Sequence, residues 1–183
     1  MNLKEDLLSM TTRLIVEEGF DYNTARKKAN STLLRNKKNQ FKKSLTREEI
    51  DEAVKGYLEF FYADDLKERL IILRYKSLSL MEELSKFRPI MIGEVSRDIA
   101  TAFTFIKICV FSDSSKEILV RLFDKNVNPK TSELKHPFTQ KNVEVLDFDW
   151  DDHKTLLYCL PSNDLNFSSK GMSLNTLKTL IEN

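Results

Sequence analysis

Apolar residues recur at helical spacing through the first half of the chain, and the period shortens after Pro89. Leu7, Leu8, Leu14, Ile15 and Val16 form one stripe, which stops at Gly19, a residue suited to a helix C-terminus. The stretch "DYNTARKKANSTLL" predicts a second helix, with Asp21 or Asn23 at its start. "TREEIDEAVKGYLEFF" predicts a third, opened by a capping box of Thr46 and Glu49. Leu66, Leu70, Leu73, Leu80, Leu84 and Phe87 then mark one face of a long amphipathic helix that Pro89 ends.

Beyond Pro89, "PIMIGEV" and "FTFIKICVF" are rich in β-branched and aromatic residues and too short for typical helices. "SSKEILVRLFDKN" predicts a helix with Ser114 and Glu117 as a second capping box. Strands are expected around "SELKHPF" and "NVEVLDFDW". Two short helices, "DDHKTLLYCL" and "SLNTLKTLIEN", are expected to close the chain, the first starting at Asp151 and Asp152. The expected fold class is α+β: a helical N-terminal part (1–63) packed on a small mixed β-sheet with flanking helices (64–183).

Composition narrows the picture. The chain has 183 residues, with 29 Lys and Arg against 28 Asp and Glu, so no global field draws it to nucleic acid or membrane. Only 4 Gly and 4 Pro argue against long structureless linkers. Cys109 and Cys159 sit in apolar surroundings and read as buried thiols. Together with His136 and His153 they match no zinc spacing. "MNLKEDLLSM" lacks the basic start and apolar core of a signal peptide. The longest apolar run, "FTFIKICVF", is half a membrane span and carries a lysine. A cytoplasmic protein without a membrane partner is therefore expected.

Three motifs carry a family resemblance. "EEGFDYNTARKKA" stands near the start, "LMEELSKFRP" before the first strand, and "SRDIAT" in the loop of "IGEVSRDIATAFTFIKICVF". In this order they resemble the "EGxDYxxAKxKA", "LMExLxxFRP" and "RGTAT" motifs of a small bacterial group within the nucleotidyltransferase superfamily, which has the polymerase-β-like fold. The resemblance covers most of the chain. Some members of that group are labelled UDP-N-acetylmuramate–alanine ligase, but such a ligase needs a Gly-rich ATP loop, which this chain lacks. The resemblance implies a nucleotidyltransferase-like sheet in residues 64–183. It also implies a glycine turn whose backbone approaches phosphates, followed by a strand with an acid–x–acid pair. Residues two apart on a strand share a face, so such a pair holds Mg²⁺ for nucleotidyl transfer.

Mapped onto this chain, Gly93 keeps the turn and Glu94 replaces a small polar residue. The acid pair falls on Phe105 and Lys107. A lysine can contact a phosphate but cannot ligate Mg²⁺. The resemblance thus implies a nucleotide-binding set of Gly93, Ser96, Arg97, Thr101 and Lys107. No catalytic or metal residue is assigned with it, and no cofactor is expected. The plainer account of Phe105 and Lys107 is a half-buried strand face with the lysine reaching water. An active enzyme would need Mg²⁺ on relocated acids, for which Asp98, Asp147 and Asp149 are the candidates, with Glu144 competing for the third position. The run Glu144–Asp152 otherwise reads as a strand edge plus a helix cap, and His153 as an exposed polar residue.

A third reading rests on "RKKANSTLLRNKKNQFKK", eight cations without an acid. Arg26, Lys27, Lys28, Lys37, Lys38, Lys42 and Lys43 form a basic patch that suits a phosphate backbone or an acidic partner. A solvated helical face is the plainer account. The expected function is a degenerate nucleotidyltransferase-like protein that binds a nucleotide, RNA or a protein partner. An active transferase and a basic-patch binder are the alternatives.

Overall fold

The computed structural model describes residues 3–33 and 45–183. Among the described residues four helices come first: α1 (Leu3–Glu18), α2 (Tyr22–Leu33), α3 (Arg47–Phe61) and α4 (Ala63–Glu83). The remainder is β1 (Ile90–Ile92), β2 (Ile106–Phe111), α5 (Lys116–Phe123), β3 (Lys130–Lys135), β4 (Asn142–Trp150), β5 (His153–Leu160), β6 (Met172–Ser173) and α6 (Leu174–Glu182). Helices and a mixed sheet with flanking helices make this an α+β fold. Among the described residues, no helix is long and apolar enough to cross a membrane.

Two compact units result. The helical unit comprises residues up to Arg69 together with Arg97–Phe103, and the sheet unit comprises Leu70–Ser96 with Thr104–Asn183. The sequence reading divides the chain at 63/64; the contacts divide it inside α4 and assign the loop after Ser96 to the helical unit.

In the helical unit the capping residues act as their types require. Thr46 and Glu49 form a complete capping box at α3. Gly19, at φ 71°, follows the last residue of α1, and Phe20 N–H donates back to Leu14 O at 3.1 Å. The core is built from Leu7, Leu14, Ala25, Ile50, Val54 and Leu58, all at most 7% exposed. Asp21 caps α2, its Oδ1 accepting from Asn23 N–H at 3.0 Å and Thr24 N–H at 3.1 Å.

Partial burial works to raise the Asp21 pKa, but the hydrogen bonds from Thr24 and Asn23 outweigh it and hold the carboxyl below its ordinary value. A depressed folded-state pKa means that this contribution to stability is present above the unfolded value of about 3.9. It is lost as pH falls through the folded value. Asp21→Ala should cost about 1 kcal/mol at neutral pH. Chemical denaturation at stepped pH should show the wild-type advantage over Asp21→Ala disappearing only below about pH 4.

The sheet has the order β3-β4-β5-β2-β1-β6. β2 and β5 run parallel, and the other neighbours are antiparallel. The register places Ile90, Cys109, Phe111, Val143, Val145 and Leu160 in one apolar cluster, against which Phe138 and Leu165 pack. His136 is buried beside it. Its Nδ1 accepts from Phe138 N–H at 3.0 Å, and its Nε2 lies 3.4 Å from Asp164 Oδ2. This ties the segment after β5 to the β3–β4 hairpin. Cys109 and Cys159 are free and buried. Burial pushes both thiols up, with Glu144 adding to the effect at Cys159, which reaches about 12. Neither is therefore a nucleophile at neutral pH.

Three expectations need correction. "DDHKTLLYCL" is not a helix but strand β5, held between β4 and β2. Asp151 and Asp152 do not start a helix: with φ of 50° and 59° they form the two-residue turn of the β4–β5 hairpin, closed by the Trp150–His153 pair. Ser114 and Glu117 form no capping box; Ser114 Oγ accepts from Lys116 N–H at 3.3 Å, while Glu117 pairs with Lys86 at 2.8 Å.

Candidate functional site

β1 ends at Ile92, opposite Lys107 on β2. The chain then turns through Gly93 at φ 80°, a conformation that L side chains rarely adopt. Ser96 Oγ donates to Gly93 O at 2.7 Å and closes the turn. The pairing brings the Lys107 stem against the turn, so that a Cβ on Gly93 would lie 2.9 Å from Lys107 Cδ. Glycine is needed here both for its backbone angle and for the space.

The head of Lys107 is already engaged. Its Nζ donates to both carboxylate oxygens of Glu94, at 3.1 and 2.9 Å. The side chains are 24% and 16% exposed, so the pair is largely removed from water. The sequence reading placed Glu94 beside an expected phosphate. In the structure its carboxylate is instead bound to Lys107.

Arg97 and Thr101 belong to the helical unit. Arg97 Nε lies 2.7 Å from Asp51 Oδ2, and its Nη2 is 3.4 Å from Oδ1. Tyr22 O–H donates to the same Asp51 Oδ1 at 2.6 Å. Thr101 is buried, and its Oγ1 accepts from Phe103 N–H at 3.1 Å. Asp51 is a partner that sequence reasoning missed, because it lies far away in sequence on α3.

The acids suggested as relocated metal ligands have other partners. Asp98, at φ 62°, pairs with Lys55 at 3.4 Å. Asp147 pairs with Lys154, and Asp149 is exposed opposite it in the ladder. Lys107 faces Leu156 on β5, and Leu156 faces Asp147 on β4. Lys107 and Asp147 are therefore two strands apart, about 9–10 Å between backbones, with an apolar residue between. Among the described residues no three His, Cys, Asp or Glu side chains gather as a metal would require. The turn itself presents one carboxylate, paired with a lysine, and neither Phe105 nor Lys107 can ligate a metal, so the residues that the resemblance places at the metal site do not fit Mg²⁺.

His153 is half-buried rather than exposed. Its Nε2–H donates to Thr104 O at 3.0 Å, an assignment of the proton that the carbonyl partner dictates. In the basic patch, Arg26 Nη1 donates to Leu45 O at 3.1 Å, and Lys28 lies 3.5 Å from Glu18 and over the Phe20 ring. Lys27 is exposed. Lys37, Lys38, Lys42 and Lys43 lie outside the described residues.

Fold and turn together define an α+β protein with a six-stranded mixed sheet and a glycine turn closed by a lysine–glutamate pair. No protein-family model matches the chain, and no curated protein is significantly similar to it.

Proposed function

We propose that the chain is a nucleotidyltransferase-like protein without metal-dependent transfer, acting as a binding module for a phosphate-bearing ligand, a nucleotide or an RNA end. The observation that supports this reading is the Lys107–Glu94 pair at Gly93. It puts a cation beside the turn where the family holds a triphosphate, and it leaves no pair of carboxylates for a metal. A phosphate must displace Glu94 to reach Lys107, so Glu94 acts as an internal competitor that weakens binding and selects against singly charged anions.

The test is a thermal-shift titration with each of the four nucleoside triphosphates, without divalent metal, on wild type and on Glu94→Gln. A ligand that binds only the folded state raises its stability. Glu94→Gln should tighten binding about tenfold by removing the competing charge. Lys107→Ala should abolish the shift. Transfer of a labelled nucleotide in Mg²⁺ or Mn²⁺, lost on replacing Asp147 or Asp149, would instead establish the active enzyme. Binding that is equal in all three proteins would sink the site. Loss of binding only on neutralising Lys37, Lys38, Lys42 and Lys43, with a reduced salt slope, would favour the basic-patch reading.

A further inference from the structure

Strand β3 is the outer strand of the sheet, and among the described residues β4 is its one paired neighbour. All its residues, Lys130 to Lys135, are exposed. Its register with β4 is continuous from Lys130–Asp147 to Lys135–Asn142, without a bulge, and it contains no proline. Among the described residues no bulge, proline or covering segment guards this edge, and its charged side chains are Lys130, Glu133 and Lys135.

The hairpin shows which backbone groups face away from β4. His136 N–H donates to Lys141 O at 2.8 Å, and this pair continues the β3–β4 register by one step. Antiparallel pairs alternate between bonded and non-bonded. Leu134, Ser132 and Lys130 therefore turn their N–H and C=O groups to β4. Those of Thr131, Glu133 and Lys135 turn outward, where they offer a template for another strand.

We propose that β3 pairs antiparallel with β3 of a second copy of this chain, about a two-fold axis through Leu134. In that register Glu133 of each copy faces Lys135 of the other, and the outward groups of these residues bond across the axis. Leu134 meets Leu134 in the non-bonded pair between them, where side chains approach most closely. Leu134 is 39% exposed and lies opposite Val143, on the sheet face that carries the apolar cluster. The dimer thus extends that face across the axis.

Charge selects this register over its neighbours. Centring on Glu133 sets two carboxylates against each other. Centring on Ser132 faces Thr131 with Glu133 and makes no opposite-charge pair. Within one copy Glu133 already faces Glu144 on β4, a like-charge pair. A partner's lysine on its free side relieves that repulsion. The contact is small, so the dimer forms and dissociates with concentration.

Sedimentation equilibrium over a concentration series tests the proposal. The mass should rise with concentration from 21.4 kDa toward twice that value. Glu133→Lys places lysine against lysine across the axis and should raise the dissociation constant about tenfold. Within the copy it faces Glu144, so the fold is not weakened. Adding Lys135→Glu to Glu133→Lys restores opposite charges and should restore the wild-type constant. Glu133→Pro removes an outward N–H while leaving the bonds to β4, and should give a monomer with unchanged circular dichroism. A wild type that stays monomeric at every concentration reached overturns the proposal. So does a dimer indifferent to Glu133→Lys and Glu133→Pro, which would place the interface elsewhere.

Discussion

Lys107→Met is expected to destabilise the sheet unit by about 2–4 kcal/mol, because it leaves the Glu94 carboxylate largely out of water with its lysine gone. Methionine preserves most of the stem that packs against Gly93, so lost packing contributes little. The double variant Lys107→Met with Glu94→Gln removes both charges and should recover much of the loss. The coupling from a double-mutant cycle in urea should be about 1–3 kcal/mol. A coupling near zero would mean that the pair is solvated in solution and contributes as little as an ordinary surface salt bridge. It would also remove the basis for treating Glu94 as a competitor of phosphate. The same pair therefore decides both a stability question and a binding question.

Gly19→Ala is the second large effect, at about 2–4 kcal/mol. Two causes add. Gly19 sits at φ 71°, where a Cβ is strained, and that Cβ would lie 2.6 Å from Phe103 Cγ and 2.8 Å from Cδ1. Phe103 is 49% exposed and can swing outward, but doing so gives up its contact with the end of α1. Gly56 provides the control. It lies within α3, and a Cβ there meets nothing within 4 Å. Gly56→Ala should stabilise by about 0.5–1 kcal/mol through helix propensity. Thermal melts of the two variants should move in opposite directions. If Gly19→Ala melts with the wild type, neither the positive φ at Gly19 nor its contact with Phe103 is maintained in solution.

On the proposed reading, the Lys107–Glu94 pair sets how a phosphate would be met without a metal. In a transferase, carboxylates on the strand after the glycine turn recruit Mg²⁺ to the triphosphate. Here the cation that meets the turn is a side chain, and its charge is held by Glu94. Arg97 is likewise held, by Asp51 within the helical unit. On that reading, an anion would reach Lys107 only by outcompeting Glu94. A site of that kind would favour multiply charged ligands, and its affinity would fall steeply with salt.

The helices of the first half could be read from sequence because their signals are local. A capping box needs residues three apart, and the stripe through Leu66, Leu73 and Leu80 needs only helical periodicity. All three leucines are buried as that stripe requires. Strands β1 to β4 were legible from composition. β5 was not, because "HKTLLYCL" carries leucines that suit either period, and its state depends on β2 and β4 pairing on both sides. The Asp151–Asp152 turn was misread for a related reason. Acids before an apolar run look like a helix cap unless the strands on either side are known to pair.

For the candidate site, the residue types were readable from the chain: a glycine at the turn, a lysine and a phenylalanine where the family resemblance would place acids, and a glutamate next to the glycine. What the charges do follows from how the chain folds. It took the β1–β2 register to bring Glu94 within 3 Å of Lys107, and the packing of the 97–103 loop with α3 to give Arg97 to Asp51. Charge pairing depends on distance, and distances between residues tens of positions apart are set by the fold rather than by the local chain.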